Sequence, residues 1–84
     1  MEKKTFTSLL GKLIVTKEGK RLGHTKDITF ETHSGELIQL VVKDPTTYTK
    51  SLNIEKTQES EPLIPCNAII AAGDFIVVSE EDLL

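Results

Sequence analysis

The chain has 84 residues, a formal net charge of −3, one cysteine, one tyrosine and no tryptophan. That length makes one domain, and its folding hides only about two-thirds of the surface the unfolded chain exposes, so the core is thin. The acidic balance speaks against bulk nucleic-acid binding, which rests on Lys and Arg neutralising phosphates.

Lone Cys66 excludes an internal disulfide and fits a reducing cytosol. Its apolar setting, LIPCNAII, reads as a small buried hydrophobe. No run approaches the ~18 apolar residues of a membrane span, and no signal-peptide pattern follows Met1. The expected location is cytoplasmic, without direct membrane insertion.

Met1–Thr7 is polar and reads as a loose start. Phe6, Leu9 and Leu10 form an apolar cluster, with Thr7 or Ser8 capping a short turn that Gly11 ends. Lys12–Thr16, rich in β-branched residues, is the first expected strand. Lys17–Lys20 is a turn with Gly19 at the position of positive φ. Gly23, inside the second strand pattern, implies a bulge or a close approach between backbones.

Arg21–Lys43 reads as one long β-hairpin. On its first arm Ile28 and Phe30 face one way, and Asp27, Thr29 and Glu31 the other. The second arm, Leu37–Val42, is apolar on both faces except at Gln39. Gly35 in the link His33–Glu36 supplies the backbone freedom that a tight turn needs.

Asp44-Pro45 signals a helix start, with Tyr48, Leu52 and Ile54 as a buried stripe. The Ser/Thr content limits that helix to two turns at most. Glu55–Glu61 is polar and reads as mobile. Pro62–Pro65, with two prolines, suits an edge strand. Asn67 is placed to cap one turn, Ala68–Ala71, ended by Ala72-Gly73-Asp74. Phe75–Ser79 is the last strand, and Glu80–Leu84 is an acidic tail that reads as a frayed, solvated end or a partner-binding segment. The expected fold is mainly β: a small half-open β-barrel of five or six strands with one short helix or turn, one domain over 1–84 with its core at about 8–79.

Chemistry is scarce. His24 and His33 lie on neighbouring arms of the hairpin without the three or four converging ligands of a metal site. Asp27, Glu31 and Glu36 read as solvated carboxylates. Lys17–Lys20 has one Gly and no phosphate-cradling spacing, and its charges, with Arg21 and Lys3-Lys4, suit solvated turns. Three Phe and one Tyr make no stacking platform for single strands. Catalytic, cofactor and metal residues are therefore expected to be none.

What stands out is surplus apolar surface. Leu37, Val41, Phe75 and Val77 fall opposite Ile38, Leu40, Val42, Ile76 and Val78, whereas a small barrel needs only one such face inside. The first four are the candidate interface of a homodimer, unless the short helix covers that face within the chain, and strand-edge pairing at both ends of such a dimer would build longer assemblies.

The order of these pieces resembles the PRC-barrel family, the small β-barrel of the photosynthetic reaction-centre H subunit and of the C-terminal half of the ribosome maturation factor. The residues that carry the likeness are Leu10–Val15, Gly19–Gly23, Asp27-Ile28, Ser34–Leu37, Leu63–Pro65, Ala68-Ile69 and Gly73–Val78. They run from about Ser8 to Ser79. The Thr- and Ser-rich segment Thr46–Thr57 departs from the more acidic, more helical insert of relatives.

The chain is similar to the free-standing archaeal members. The resemblance implies no catalytic or cofactor residue. It implies a dimerising adaptor in cell division, joining the membrane-anchored adaptor of the tubulin-like division ring to a second PRC-barrel protein. The rival implication, from the ribosome maturation factor, is a role in RNA processing or ribosome assembly.

Overall fold

The computed structural model describes residues 8–83; the expectations for Met1–Thr7 and for Leu84 lie outside them. Six strands form one sheet: β1 (Leu13–Thr16), β2 (Arg21–Phe30), β3 (Leu37–Lys43), β4 (Leu63–Pro65), β5 (Ile69–Ala72) and β6 (Ile76–Val78). Their order across the sheet is β4-β3-β2-β1-β6-β5. All neighbours are antiparallel except β1 and β6, which run parallel with Ile14 beside Ile76. The sheet is mixed and unclosed, which agrees with the half-open barrel expected from the sequence.

The long hairpin is present as read. β2 and β3 pair from His24↔Lys43 to Phe30↔Leu37, and Gly35 takes φ 73 in the link. Gly19 takes φ 92 in the β1–β2 turn. Gly23, at φ 146, lies where β2 presses against the end of β3; a Cβ there would meet Val42 Cγ1 at 2.6 Å and the Lys43 carbonyl oxygen at 2.8 Å. The register of β1 on β2 also slips here, between Ile14 and Val15. Both halves of the sequence reading of Gly23, bulge and close approach, are realised.

Alternation decides the two faces. Ile14, Leu22, Leu40, Val42, Ile64, Ile76 and Val78 have no accessible surface and form the concave core. Ile38 shares strand parity with Leu40 yet is exposed, because the register shift between Thr29 and Phe30 skips it at the far end of β3. Helix α1 (Thr47–Ser51) is short, as expected, but its cap is Thr46 and not Asp44. Thr46 Oγ1 accepts the Thr49 N–H, and Asp44 instead takes the left-handed φ of 50 that turns the chain off β3. Tyr48 and Leu52 pack against the core and Ile54 is buried, so the expected stripe is there. Buried Thr49 adds an anchor, its hydroxyl donating to the Leu22 carbonyl at 2.7 Å.

Three further readings are corrected. Glu55–Glu61 is polar but closed: Lys56 bridges Pro62, the Thr57 N–H donates to the Glu61 carbonyl, and Thr57 Oγ1 accepts the Glu59 and Glu61 N–H groups. The turn expected at Ala68–Ala71 falls earlier, as a 3-10 turn over Cys66–Ala68, and Ile69–Ala72 is strand β5. The acidic end is not frayed. It makes a 3-10 turn, Glu80–Leu83, which puts Leu83 in the core at 8 % exposure. Burying that one side chain holds three carboxylates at the surface.

Candidate functional site

The outer face of the sheet, opposite the core, carries the apolar surplus. Val15 and Val77 are paired neighbours on β1 and β6, and both are half-buried. One step towards the start of β1 lies Leu13, also half-buried; just before β6 comes Phe75, 54 % exposed. Ala71, paired with Val77, continues the strip onto β5 and is exposed. These residues share a side because successive side chains on a strand alternate, and Ile14, Ile76 and Val78 between them point inward.

Of the four residues expected at an interface, the structure sets Phe75 and Val77 on this strip. Val41 lies on the same side of the sheet but on β3, two strands from Leu13 and Val15 on β1 and three from Val77 on β6, roughly 10 and 14 Å at ordinary strand spacing. Its ladder partners there are exposed Asp27 and half-buried Leu63. The side chain of Leu37 lies outside what the structure describes. Leu13, Val15 and Ala71 were missed because membership of the strip follows from the β1–β6–β5 order, a non-local fact. The KLIVT alternation gave the only local hint.

Helix α1 does not cover the strip. Its apolar side chains pack on the concave core, and the Thr46 N–H donates to the Leu22 carbonyl at 3.1 Å, which seats α1 against β2. The alternative in which the helix shields the second face is thereby removed.

The polar candidates serve the backbone. Asp27 Oδ1 accepts the Ile28 N–H at 2.8 Å, and Glu31 Oε1 accepts the His33 N–H at 3.1 Å beside the hairpin turn. Glu36 is exposed in the same turn. His24 pairs with Leu13 and Lys43 inside the sheet, while His33 is exposed at the turn. Among the described residues no group of three or more His, Cys, Asp or Glu converges as a metal site. Cys66 is half-buried, less enclosed than expected.

One shallow cavity of about 420 Å³ is lined by Glu18, Lys20, Tyr48, Glu80 and Glu81. The Tyr48 hydroxyl donates to Glu80, Lys20 Nζ lies 4.4 Å from the ring centroid, and Lys17 Nζ is 3.3 Å from Glu81. The hydrogen bond to the Glu80 carboxylate, with desolvation and the nearby negative charge, pushes the Tyr48 phenol up to about 12. That shift holds the phenol protonated and moves its pKa further above 7, the wrong direction for proton transfer near neutral pH. These contacts fasten the C-terminal turn to the β1–β2 turn and α1.

The site is thus an apolar strip on an unclosed six-stranded sheet, beside polar side chains engaged in local contacts. The profile of the PRC-barrel domain matches residues 1–84. The chain belongs to the PRC-barrel family. No curated protein matches it significantly. PRC barrels are generally non-catalytic interaction modules. No helix among the described residues of this one is long and apolar enough to cross a membrane.

Proposed function

We propose that this PRC barrel is a non-enzymatic assembly module, a homodimeric adaptor of the archaeal cell-division machinery. In that role it links the membrane-anchored adaptor of the tubulin-like division ring to a second PRC-barrel protein. The observation that carries the interaction reading is Phe75, 54 % exposed, on a strip with Leu13, Val15 and Val77 that no described element covers. Exposed contiguous apolar surface marks a protein contact. The assignment to division rests on the resemblance to free-standing archaeal members.

Two measurements test the parts separately. Sedimentation at high micromolar concentration reports self-association, and a monomer there removes the homodimer. Affinity capture from native lysate is expected to recover division proteins. Recovery of none, together with normal division in a deletion strain, removes the division role. Salt-dependent binding to ribosomal RNA would favour ribosome assembly instead.

A further inference from the structure

The two edges of the sheet are treated differently. The β4 edge is covered: the Leu63 N–H, which points away from β3, donates to the Glu55 carbonyl at 2.9 Å, and Lys56 bridges Pro62. Pro62 and Pro65 offer no N–H there. The β5 edge is bare among the described residues. Its outer side has no ladder partner, and Ile70, Ala71 and Ala72 are exposed, Ile70 by 55 %. Natural edges are usually blunted by charge, proline or a cover. β5 (Ile69–Ala72) has no charge, proline or cover; its four-residue length and the bulge at Ile70 are what limit pairing there.

We propose that the β5 edge is where a second copy of this chain docks, antiparallel across a two-fold axis, joining two six-stranded sheets into one. The proposal rests on the reading of the domain as a self-associating module, and it names the strand that does it. Charge argues for a second copy as the occupant. Each molecule carries −3 overall, so copies repel except where their surfaces are neutral. β5 is neutral throughout.

The flanking charges also fit. A two-fold centred at Ile70 sets Asp74 of one copy opposite Cys66 of the other, and one between Ile70 and Ala71 sets it opposite Asn67. In neither register do two Asp74 carboxylates meet. Lys12, whose amine donates to the Gly73 carbonyl, stands at that same end as a counter-charge.

Two consequences follow. An isologous contact uses the same patch on both copies, and with the β4 edge covered the assembly closes at two and does not grow into chains. A four-residue edge, even flanked by Phe75, buries less than the ~800 Å² per partner of a standard interface, so a weak dimer is expected.

Analytical ultracentrifugation of the full chain over a micromolar to high-micromolar series, with amide exchange read at Ile69–Ala72, tests this. The expected result is a monomer–dimer equilibrium in which β5 amides gain protection as concentration rises. Ile70→Lys, at an exposed position, is expected to weaken the dimer at least tenfold while leaving the thermal midpoint in place. Phe75→Ser separates the edge from the face. If Phe75→Ser abolishes the dimer and Ile70→Lys leaves it intact, the edge proposal falls and the apolar-face reading survives. A monomer at all concentrations overturns both, and higher oligomers overturn the closure.

Discussion

Replacing Gly23 by alanine is expected to cost about 1–5 kcal/mol. Its φ of 146 is a backbone conformation that side chains rarely adopt, and strain of this kind costs about 1–3 kcal/mol. The added methyl would also lie 2.6 Å from Val42 Cγ1, 2.8 Å from the Lys43 carbonyl oxygen and 3.2 Å from that of Asp44. Two of those neighbours are backbone, so β2 and the end of β3 must part, at about 1–3 kcal/mol more. The reduced freedom of the unfolded chain returns about 0.4–1 kcal/mol.

For a domain of this size the thermal midpoint should fall by roughly 4–40 °C, at about 4–8 °C per kcal/mol. Urea unfolding followed by far-ultraviolet circular dichroism measures it, with a lower midpoint at unchanged slope. Gly19→Ala is the control: Gly19 has a φ of 92 but nothing within 4 Å of an added Cβ, so it reports backbone strain without overlap. If Gly23→Ala loses no more than Gly19→Ala, the close approach of the two strands contributes nothing and the reasoning is wrong.

Three further outcomes are expected. Ser60 holds a left-handed φ of 66 in the Thr57–Glu61 turn, where glycine is the natural occupant, so Ser60→Gly should stabilise by about 0.5–1 kcal/mol; a lower urea midpoint would refute this. Thr25 Oγ1 is buried without a partner, so Thr25→Val, of similar shape, should raise stability by about 1 kcal/mol in the same assay, and a loss would mean the hydroxyl is satisfied in solution. The lone tyrosine should titrate near pH 12 by tyrosinate absorbance, not at its ordinary 10.0, and Glu80→Gln should bring it back down. Because the folded value is the raised one, the contribution of this contact is complete below pH 10 and is lost as pH rises through about 12.

Local pattern made the central hairpin legible. Ile28 and Phe30 alternate with polar neighbours, Leu37–Val42 is apolar on both faces, and Gly35 marks the turn, so pairing partners near in sequence could be read directly. Gly19 and Gly23 were legible for the same reason, since a glycine in a strand or turn pattern has few uses.

What failed was non-local. Ala68–Ala71 reads as a turn because two alanines and a preceding Asn suit one, and only the presence of β6 makes Ile69–Ala72 a strand. Asp44 looked like the cap because aspartate before proline commonly is one, but the chain needed its left-handed conformation there. Glu80–Asp82 looked solvated, and one leucine beyond them found the core. The candidate interface was half legible: parity along each strand placed Val41 and Val77 on one side of the sheet, but only the strand order shows how far apart they lie.

The ladder between Leu13–Thr16 and Ile76–Val78 joins the earliest strand of the described chain to the latest. On the ribosome, β1 therefore waits with an unfilled flank until the chain has emerged as far as Val78. Such distant pairing slows acquisition of the native state and favours folding in a single late step, and any truncation before Val78 leaves the nascent molecule open at its middle.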